Sequence, residues 1–261
     1  MKRIDPWRLL LERDGPMHQS AMIYASDAIQ IEADAVRQLR NATLLDLDAI
    51  VVATPDIHTG FGVPIGCVFA SPNLISPCAV GYDINCGMRL LATPLQRHEV
   101  DVVTLANAFR RDIPLGEGKR NIGVPPAVFD QVLEQGVGAT PAIAEHQARV
   151  AACFEPAEFA RDMDCIEDRG SMSGVLEAVS VRARSRGIEQ LATLGGGNHF
   201  IEIQQVSDVM DTAIAAAFGL RLEQIVVMIH SGSRGLGYQV ADEFMAAARR
   251  WDERHGYALP D

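Results

Sequence analysis

The chain has 261 residues, of which 48% are hydrophobic and 22% are charged, a globular composition that predicts one large domain or two small ones. No apolar run reaches the roughly 18 residues that cross a bilayer, and the first residues turn polar too early for a signal peptide. We therefore expect a cytoplasmic protein without membrane contact. The net charge of −11 argues against sequence-independent binding of nucleic-acid backbone over the whole surface, but not against a local basic groove.

The first half of the chain is predicted to contain a helix and three strands. Residues 26–41 read as a helix, for which Ser26 is a suitable N-cap. Apolar runs beside glycine-rich turns predict strands at 49–58, 64–70 and 88–95.

The second half is predicted to be helical first and then mixed. Residues 96–190 indicate helices interrupted by a loop around "IPLGEGKRNIGVPP". Strands follow at 199–204 and 224–230, and a helix with a glycine stop at 238–256. Because strands and helices mix without a regular βαβ period, we predict an α+β fold.

Two residue types allow a structural and a functional interpretation. The arginines of "VRARSRG" (Arg182, Arg184 and Arg186) either line a local basic groove or form the solvated face of a helix. The cysteines are odd in number and lack C-x-x-C spacing, which favours reduced, mostly buried thiols over disulfides or a zinc finger. The five are Cys67, Cys78, Cys86, Cys153 and Cys165.

Four glycine-rich turns lie beside predicted strand ends: "HTGFGVPIG", "VGYDINCGM", "TLGGGNHF" and "HSGSRGLG". Glycines allow sharp turns and close approach of backbone N–H groups to phosphate. In the second turn, Asp83 and Cys86 are three residues apart and can point the same way. Either the turn is tight and these side chains are incidental, or it forms half of a metal site.

Two histidines could complete such a site. His199 opens one predicted strand and His230 closes another, where loops on a rigid scaffold bring side chains together. A set of one cysteine, one aspartate and two histidines suits zinc, cobalt, iron or manganese. The alternative is that both histidines are ordinary strand-end residues bonded to backbone.

Other polar residues near these turns are weaker candidates. Arg234 lies among glycines and serines and could bind phosphate, or could form a surface salt bridge. Strand alternation places Phe200 and Glu202 on one face, where they could meet a nucleobase. Asp56 and His58 follow a strand end and could form a second layer around the site, or simply a capped turn.

The segments "PDIHTGFGVPIG", "VGYDINCGM", "LGGGNHFIEIQ" and "HSGSRGLG" together resemble the RtcB family of RNA-splicing ligases, and they occur in the family's order. The resemblance implies an RtcB-like fold of mixed β-sheets flanked by helices, with residues 1–261 forming the N-terminal portion of one catalytic domain. It also implies an RNA ligase that joins 2′,3′-cyclic phosphate or 3′-phosphate ends to 5′-hydroxyl ends, as in tRNA splicing or RNA repair. Such enzymes use GTP and two manganese ions, and they pass through a histidine–GMP adduct. An accessory activator protein is left open.

The resemblance also implies roles for individual residues. Asp83, Cys86 and His199 would hold one manganese, and Cys86 would bridge to a second one shared with His230. Arg234 would face phosphate, and Asp56 would support catalysis. The guanylate pocket would include residues 198–202, namely Asn198, His199, Phe200, Ile201 and Glu202.

One departure from the family concerns the C-terminal part. The family's guanylylated histidine and a further metal-ligand histidine have no counterpart, because only His255 follows His230, and "YALPD" closes the chain just after a helix. We expect an incomplete chain that carries most of the manganese site, cannot ligate alone and exposes apolar surface. Two other functions stay open: a metal-dependent phosphodiesterase that opens cyclic phosphates, and a non-catalytic module that binds RNA 3′ ends.

Overall fold

The computed structural model of the protein describes residues 1–256, and the "YALPD" segment lies outside the described residues. The chain divides into two compact units, one formed by residues 1–82 and 241–256 and the other by Asp83–Val240. Each unit has its own β-sheet and helices, which confirms the predicted α+β class. Within residues 1–256, no helix combines the length and the apolar character that crossing a bilayer requires.

The first unit is built on a five-stranded mixed sheet. Its strands are β1 (Lys2–Asp5), β2 (Arg8–Leu11), β3 (Ala21–Tyr24), β4 (Ile50–His58) and β5 (Ile65–Ala70). They lie in sequence order, and all neighbours are antiparallel except β3 and β4. A parallel pair needs a crossover connection, and helix α1 (Ala33–Ala42) supplies it. A short helix α2 (Pro77–Val80) follows the sheet.

The core of the first unit lies between this sheet and α1. Ala35, Leu39 and Ala42 from the helix pack with Ile23 and Val51 from the strands, and all five are buried. The three helical residues are spaced by four and three, so they form one apolar face of α1.

The second unit has a three-stranded antiparallel sheet. Its strands are β6 (Gly87–Gln96), β7 (Phe200–Gln205) and β8 (Gln224–Ser231), and β8 lies in the centre. Met88 on β6 and Phe200 on β7 both lie directly opposite His230 on β8. This register brings the ends of three strands together around one histidine.

The second unit also contains several helices. They are α3 (Val102–Asp112), α4 (Pro126–Gln135), α5 (Thr140–His146), α6 (Ala148–Ala151), α7 (Pro156–Asp164), α8 (Val181–Ile188) and α9 (Thr212–Ala217), with 3₁₀ turns at Arg97–Glu99, Gly136–Ala139, Glu167–Gly170 and Leu176–Ala178. Helix α10 (Arg234–His255) begins in this unit, and its residues from Ala241 onward belong to the first. Asp101, Ser180 and Asp211 cap α3, α8 and α9 by accepting hydrogen bonds from N–H groups of the first turns.

Two predicted helix starts were wrong. Helix α1 begins at Ala33 rather than Ser26, because Ile29 and Ile31 pack against the first core from an irregular segment. Helix α10 begins at Arg234, four residues earlier than predicted, so it includes two glycines. There a Cβ on Gly237 would lie 1.8 Å from Ser233 Oγ, so glycine allows close packing instead of ending the helix.

Strand β6 is an edge strand with apolar side chains on both of its faces. Met88, Leu90 and Leu91 are 50%, 45% and 49% exposed. Exposed apolar surface was expected from the sequence, and this strand carries part of it.

The arginine cluster at 181–187 is largely engaged within the second unit. Arg184 donates to Asp130 at 3.1 Å, and Arg186 donates to Gln239 at 3.0 Å. Arg182 and Arg186 are both exposed, and of the three only Arg182 has no side-chain hydrogen bond or ion pair with a described residue. These contacts favour a structural role for the cluster over a basic groove.

Candidate metal centre

The DINC turn connects α2 to β6 and brings two predicted ligands to one side. The Cys86 N–H donates to the Asp83 carbonyl at 2.9 Å, which closes the turn, and Asn85 takes a positive φ of 59° inside it. Both side chains then reach the same imidazole nitrogen. His199 Nε2 lies 2.7 Å from Asp83 Oδ2 and 3.6 Å from Cys86 Sγ.

The second predicted histidine joins the same cluster. His230 Nε2 lies 3.0 Å from Cys86 Sγ, so the sulfur lies between two imidazoles. One donor atom from each of Cys86, His199 and His230 falls within 4.8 Å of the others. The structure therefore brings together all four residues predicted as metal ligands.

The orientation of His199 favours a cation at Nε2. Its Nδ1 lies 3.1 Å from the Leu194 carbonyl, which can only accept, so Nδ1 carries a proton. Nε2 then faces the Asp83 carboxylate either as a second N–H donor or with a lone pair that a cation would bind. A backbone hydrogen bond on one ring nitrogen is the usual way to orient a metal-binding histidine. The His199 side chain is only 6% exposed, so this orientation is fixed by its surroundings.

The chemistry of Cys86 depends on what lies next to it. Partial desolvation, together with the hydrogen bond and negative charge of Asp83, raises the pKa of the Cys86 thiol to about 12. Only the thiolate is a good metal ligand, so a bound cation must displace this proton. A divalent ion beside the sulfur would supply the positive charge that the metal-free cluster lacks.

Two glycines make room for the cluster. A Cβ on Gly232 would lie 2.4 Å from Asp83 Oδ1, and a Cβ on Gly195 would lie 2.3 Å from His199 Nδ1. The glycines in these turns are therefore needed for close packing around Asp83 and His199. At Gly195 the φ of 111° favours glycine as well.

Arg234 is held by two loops of the second unit. Its Nη2 donates to the Gly116 carbonyl at 3.1 Å, and its Nε lies 3.4 Å from Thr193 Oγ1. No carboxylate within residues 1–256 forms a salt bridge with it. The surface salt bridge considered from the sequence is thus not formed in the described structure.

The predicted guanylate residues divide between two faces of β7. The Phe200 ring meets the His230 ring edge-on, with centroids 5.3 Å apart, and Glu202 lies opposite Met228 on the same face. Ile201 faces the other way, and together with His199 and Phe200 it lines a mostly apolar cavity of about 440 Å³ against α3. Asn198 is exposed in the loop before the strand.

The remaining predicted residues lie in the first unit. Asp56 is on β4, its side chain is 83% exposed, and its carbonyl lies 2.7 Å from His58 Nδ1. His255 stacks on Trp251 near the end of α10, with ring centroids 4.1 Å apart. Neither belongs to the Cys86 cluster, and the supporting role of Asp56 stays a prediction.

Comparison with known proteins identifies the family. The sequence model of a family described as tRNA-splicing ligase RtcB matches residues 38–261. The chain belongs to the RtcB family.

Curated RtcB relatives match between 80% and 100% of the chain. The tRNA-splicing ligase RtcB of Aeropyrum pernix is 38% identical over 275 residues, which is 100% of this chain and 55% of the relative. That of Thermococcus kodakarensis is 36% identical over 273 residues, 100% of this chain and 54% of the relative. That of Pyrobaculum aerophilum is 40% identical over 218 residues, 80% of this chain and 43% of the relative. The chain therefore spans about half the length of these RtcB proteins.

The sequence analysis did not identify the groups that orient the histidines of the Cys86 cluster. The Leu194 carbonyl accepts from His199 Nδ1 and, at 2.8 Å, from the Ser231 hydroxyl. A backbone acceptor leaves no signature in side-chain identity. Ser231 was noted only as a polar neighbour of Arg234, although its position directly after His230 was visible.

Proposed function

We propose that the protein acts as a GTP- and manganese-dependent RNA ligase that joins 2′,3′-cyclic phosphate or 3′-phosphate ends to 5′-hydroxyl ends. The observation that carries this proposal is the convergence of Cys86, His199 and His230 with Asp83 in a member of the RtcB family. The relatives bear the name tRNA-splicing ligase, so RNA is the expected substrate. The route would pass through a histidine–GMP adduct.

The metal ligands divide between two ions in this proposal. Asp83, Cys86 and His199 would hold one manganese, and Cys86 would bridge to a second ion bound by His230. The distances from Cys86 Sγ to the two imidazoles, 3.6 and 3.0 Å, support a bridging sulfur. Carboxylate and imidazole ligands suit manganese, whereas a thiolate also favours zinc, so the choice of manganese rests on the family. When bound, the ions would neutralise phosphate charge and align the reacting oxygens.

The guanylate would lie along β7 and the turn before it. The exposed amide of Asn198, the ring of Phe200 and the carboxylate of Glu202 offer polar contacts and an aromatic surface. Ile201 would support this pocket from the opposite face. A carboxylate such as Glu202 can accept from the ring N–H groups of guanine.

Two charged residues complete the proposal. Arg234 would bind a phosphate by exchanging its loop contacts for phosphate oxygens, which suits the planar donor pattern of a guanidinium. Asp56 would have a supporting catalytic role. The histidine that takes GMP would lie outside the four matching motifs.

Calorimetric titration with Mn²⁺ tests the core of the proposal. Loss of a hydrogen-bond partner of a metal ligand typically lowers metal affinity by about 10–100-fold. Cys86→Ala would remove a proposed ligand itself, so we expect it to weaken Mn²⁺ binding by more than about 100-fold. Cys153→Ala is the matched control, since that thiol is also exposed and lies outside the cluster. Equal affinity for wild type and Cys86→Ala would contradict the site.

A metal-dependent cyclic phosphodiesterase is the second candidate, because all four proposed ligands lie within this one chain. Incubation of the chain with an RNA 2′,3′-cyclic phosphate and Mn²⁺, with and without GTP, separates the functions. Opening of the ring without GTP would favour the phosphodiesterase. RNA binding without turnover would favour the binding module, and a covalent GMP adduct on this chain would show that it supplies its own nucleophile.

A further inference from the structure

A polar cavity of about 280 Å³ lies at the border of the metal centre. Six residues line it: Asn85, Gly87, Arg89, Ser231, Gly232 and Ser233. Asn85 directly precedes Cys86, and Ser231 directly follows His230. The cavity borders the carboxylate of the candidate metal centre, because Ser233 Oγ donates to Asp83 Oδ1 at 3.4 Å and a Cβ on Gly232 would lie 2.4 Å from the same oxygen. A molecule that reaches the candidate metal centre can therefore place an adjacent group in this cavity.

The backbone register explains why these residues meet. Gly87 on β6 lies opposite Ser231 on β8, and Arg89 lies two residues further along β6. Residues two apart on a strand share a face, so Arg89 and Gly87 point to the same side of the sheet. Glycine at position 87 leaves the space beside the arginine open.

The positive charge of the cavity lining comes from Arg89, and the Asp83 carboxylate lies next to the lining residues Gly232 and Ser233. Arg89 is the only charged residue in its lining, and no carboxylate lines it within residues 1–256. The Arg89 guanidinium has no hydrogen bond or ion pair with any described residue, whereas those of Arg184 and Arg234 are held by the fold. An unpaired guanidinium beside the Asn85 side-chain amide matches the needs of a phosphate group, whereas the Ser231 and Ser233 hydroxyls donate to the Leu194 carbonyl and to Asp83.

We propose that this cavity binds a backbone phosphate of the RNA strand whose end lies at the metal centre, and that Arg89 is its charge partner. The inference rests on the proposed function, because it takes RNA as the substrate. Phosphate contacts position a strand without reading its sequence, so this subsite would hold the end of any RNA in register with the ligands.

Binding of a short single-stranded RNA with a 3′-phosphate, measured over a series of salt concentrations, tests the subsite. We expect Arg89→Gln to weaken binding several-fold and to reduce the magnitude of the salt slope by about 0.7, the value for one phosphate contact on a single strand. Arg182→Gln is the matched control, because it removes the same charge from an exposed helix position. Equal losses in the two variants would overturn the proposal, since they would reflect net charge alone.

Further titrations separate the sources of phosphate. GTP and inorganic phosphate are titrated into the same variants, and a loss for GTP without a loss for RNA would assign the cavity to the nucleotide and overturn the RNA assignment. All titrations are run with and without Mn²⁺. Wild type that binds Mn²⁺ but no RNA would contradict the subsite. Wild type that binds no Mn²⁺ would contradict the metal centre, while the Arg89 comparison in RNA binding would still decide the subsite.

Discussion

The sheets of the two units use their strands differently. In the first unit, strands β3 and β4 bury Ile23, Val51 and Ala53 against α1, and these side chains are at most 3% exposed. In the second unit, β6 leaves Met88 and Leu91 about half exposed, while Cys86 and His230 lie close together at the end of the sheet. The contrast is therefore between the β3–β4 pair, which is buried against α1, and the edge strand β6, because β8 in the second sheet also buries Ile225, Val226 and Val227.

The core of the first unit and the Cys86 cluster of the second unit tolerate different substitutions. Side chains in the first core can be exchanged only for others of similar size and polarity. Around the Cys86 cluster, close packing instead depends on glycines and on a few backbone hydrogen bonds. The consequences of mutation should differ accordingly.

The largest effect is expected in the first core. Leu39 is fully buried, so Leu39→Ala should lower the free energy of unfolding by about 2–5 kcal/mol. Leu91→Ala removes the same atoms from a side chain that is 49% exposed, and it should cost about 1 kcal/mol or less. Urea denaturation followed by circular dichroism measures both. Equal losses would break the comparison, because they would show that β6 is covered in solution.

Gly195→Ala should damage the metal centre while leaving the first core intact. The new Cβ would collide with His199 Nδ1 and would lie 2.7 Å from Arg234 Nη1, so we expect Mn²⁺ affinity to fall by about 100-fold. Gly197→Ala is the control, since that position also has a positive φ of 67° but has no atom within 4 Å of a Cβ. Similar losses in both variants would attribute the effect to backbone strain alone.

Mn²⁺ affinity should rise with pH. The pKa of the Cys86 thiol is raised to about 12 in the metal-free protein, so the thiol is protonated at neutral pH and binding must release that proton. Above about pH 7, where histidine is mostly neutral, each pH unit should increase the affinity about tenfold. Calorimetry in buffers of different ionisation enthalpy counts the released proton. Affinity that does not change with pH would exclude the thiolate as a ligand.

Ser231→Ala should have the smallest effect. It removes one of two hydrogen bonds to the Leu194 carbonyl, so His199 is oriented less firmly and Mn²⁺ affinity should fall about tenfold. Ser231→Thr keeps the hydroxyl and should retain wild-type affinity. If Thr weakens binding as much as Ala does, the hydroxyl contributes nothing and only the size of the side chain matters.

The sequence predicted the elements near the site better than those at the start of the chain. Strands β4 to β8 were placed within about two residues, because their apolar runs end at glycine-rich turns. The strands β1, β2 and β3 were not predicted, since four residues are too few for alternation to be distinctive. The parallel pairing of β3 with β4 depends on tertiary packing that no local pattern encodes.

The candidate site was also predicted in part. Cys86, His199 and His230 were expected together, and their donor atoms converge. Their orientation was not expected, because it depends on the Leu194 carbonyl. The cavity beside Arg89 was missed because the residues opposite it lie more than 130 positions away along the chain, and only the strand register brings them close.

The position of Cys86 next to β6 has a consequence for the local opening of that strand. His230 is on the central strand, which is hydrogen-bonded on both sides, whereas Cys86 directly precedes an edge strand that has one neighbour. Edge strands open locally at lower free energy than central ones, so the metal-free β6 should exchange its amide hydrogens faster than β8. An ion bound by both Cys86 and His230 would link the edge strand β6 to the central strand β8. Metal binding would then also slow the local opening of β6.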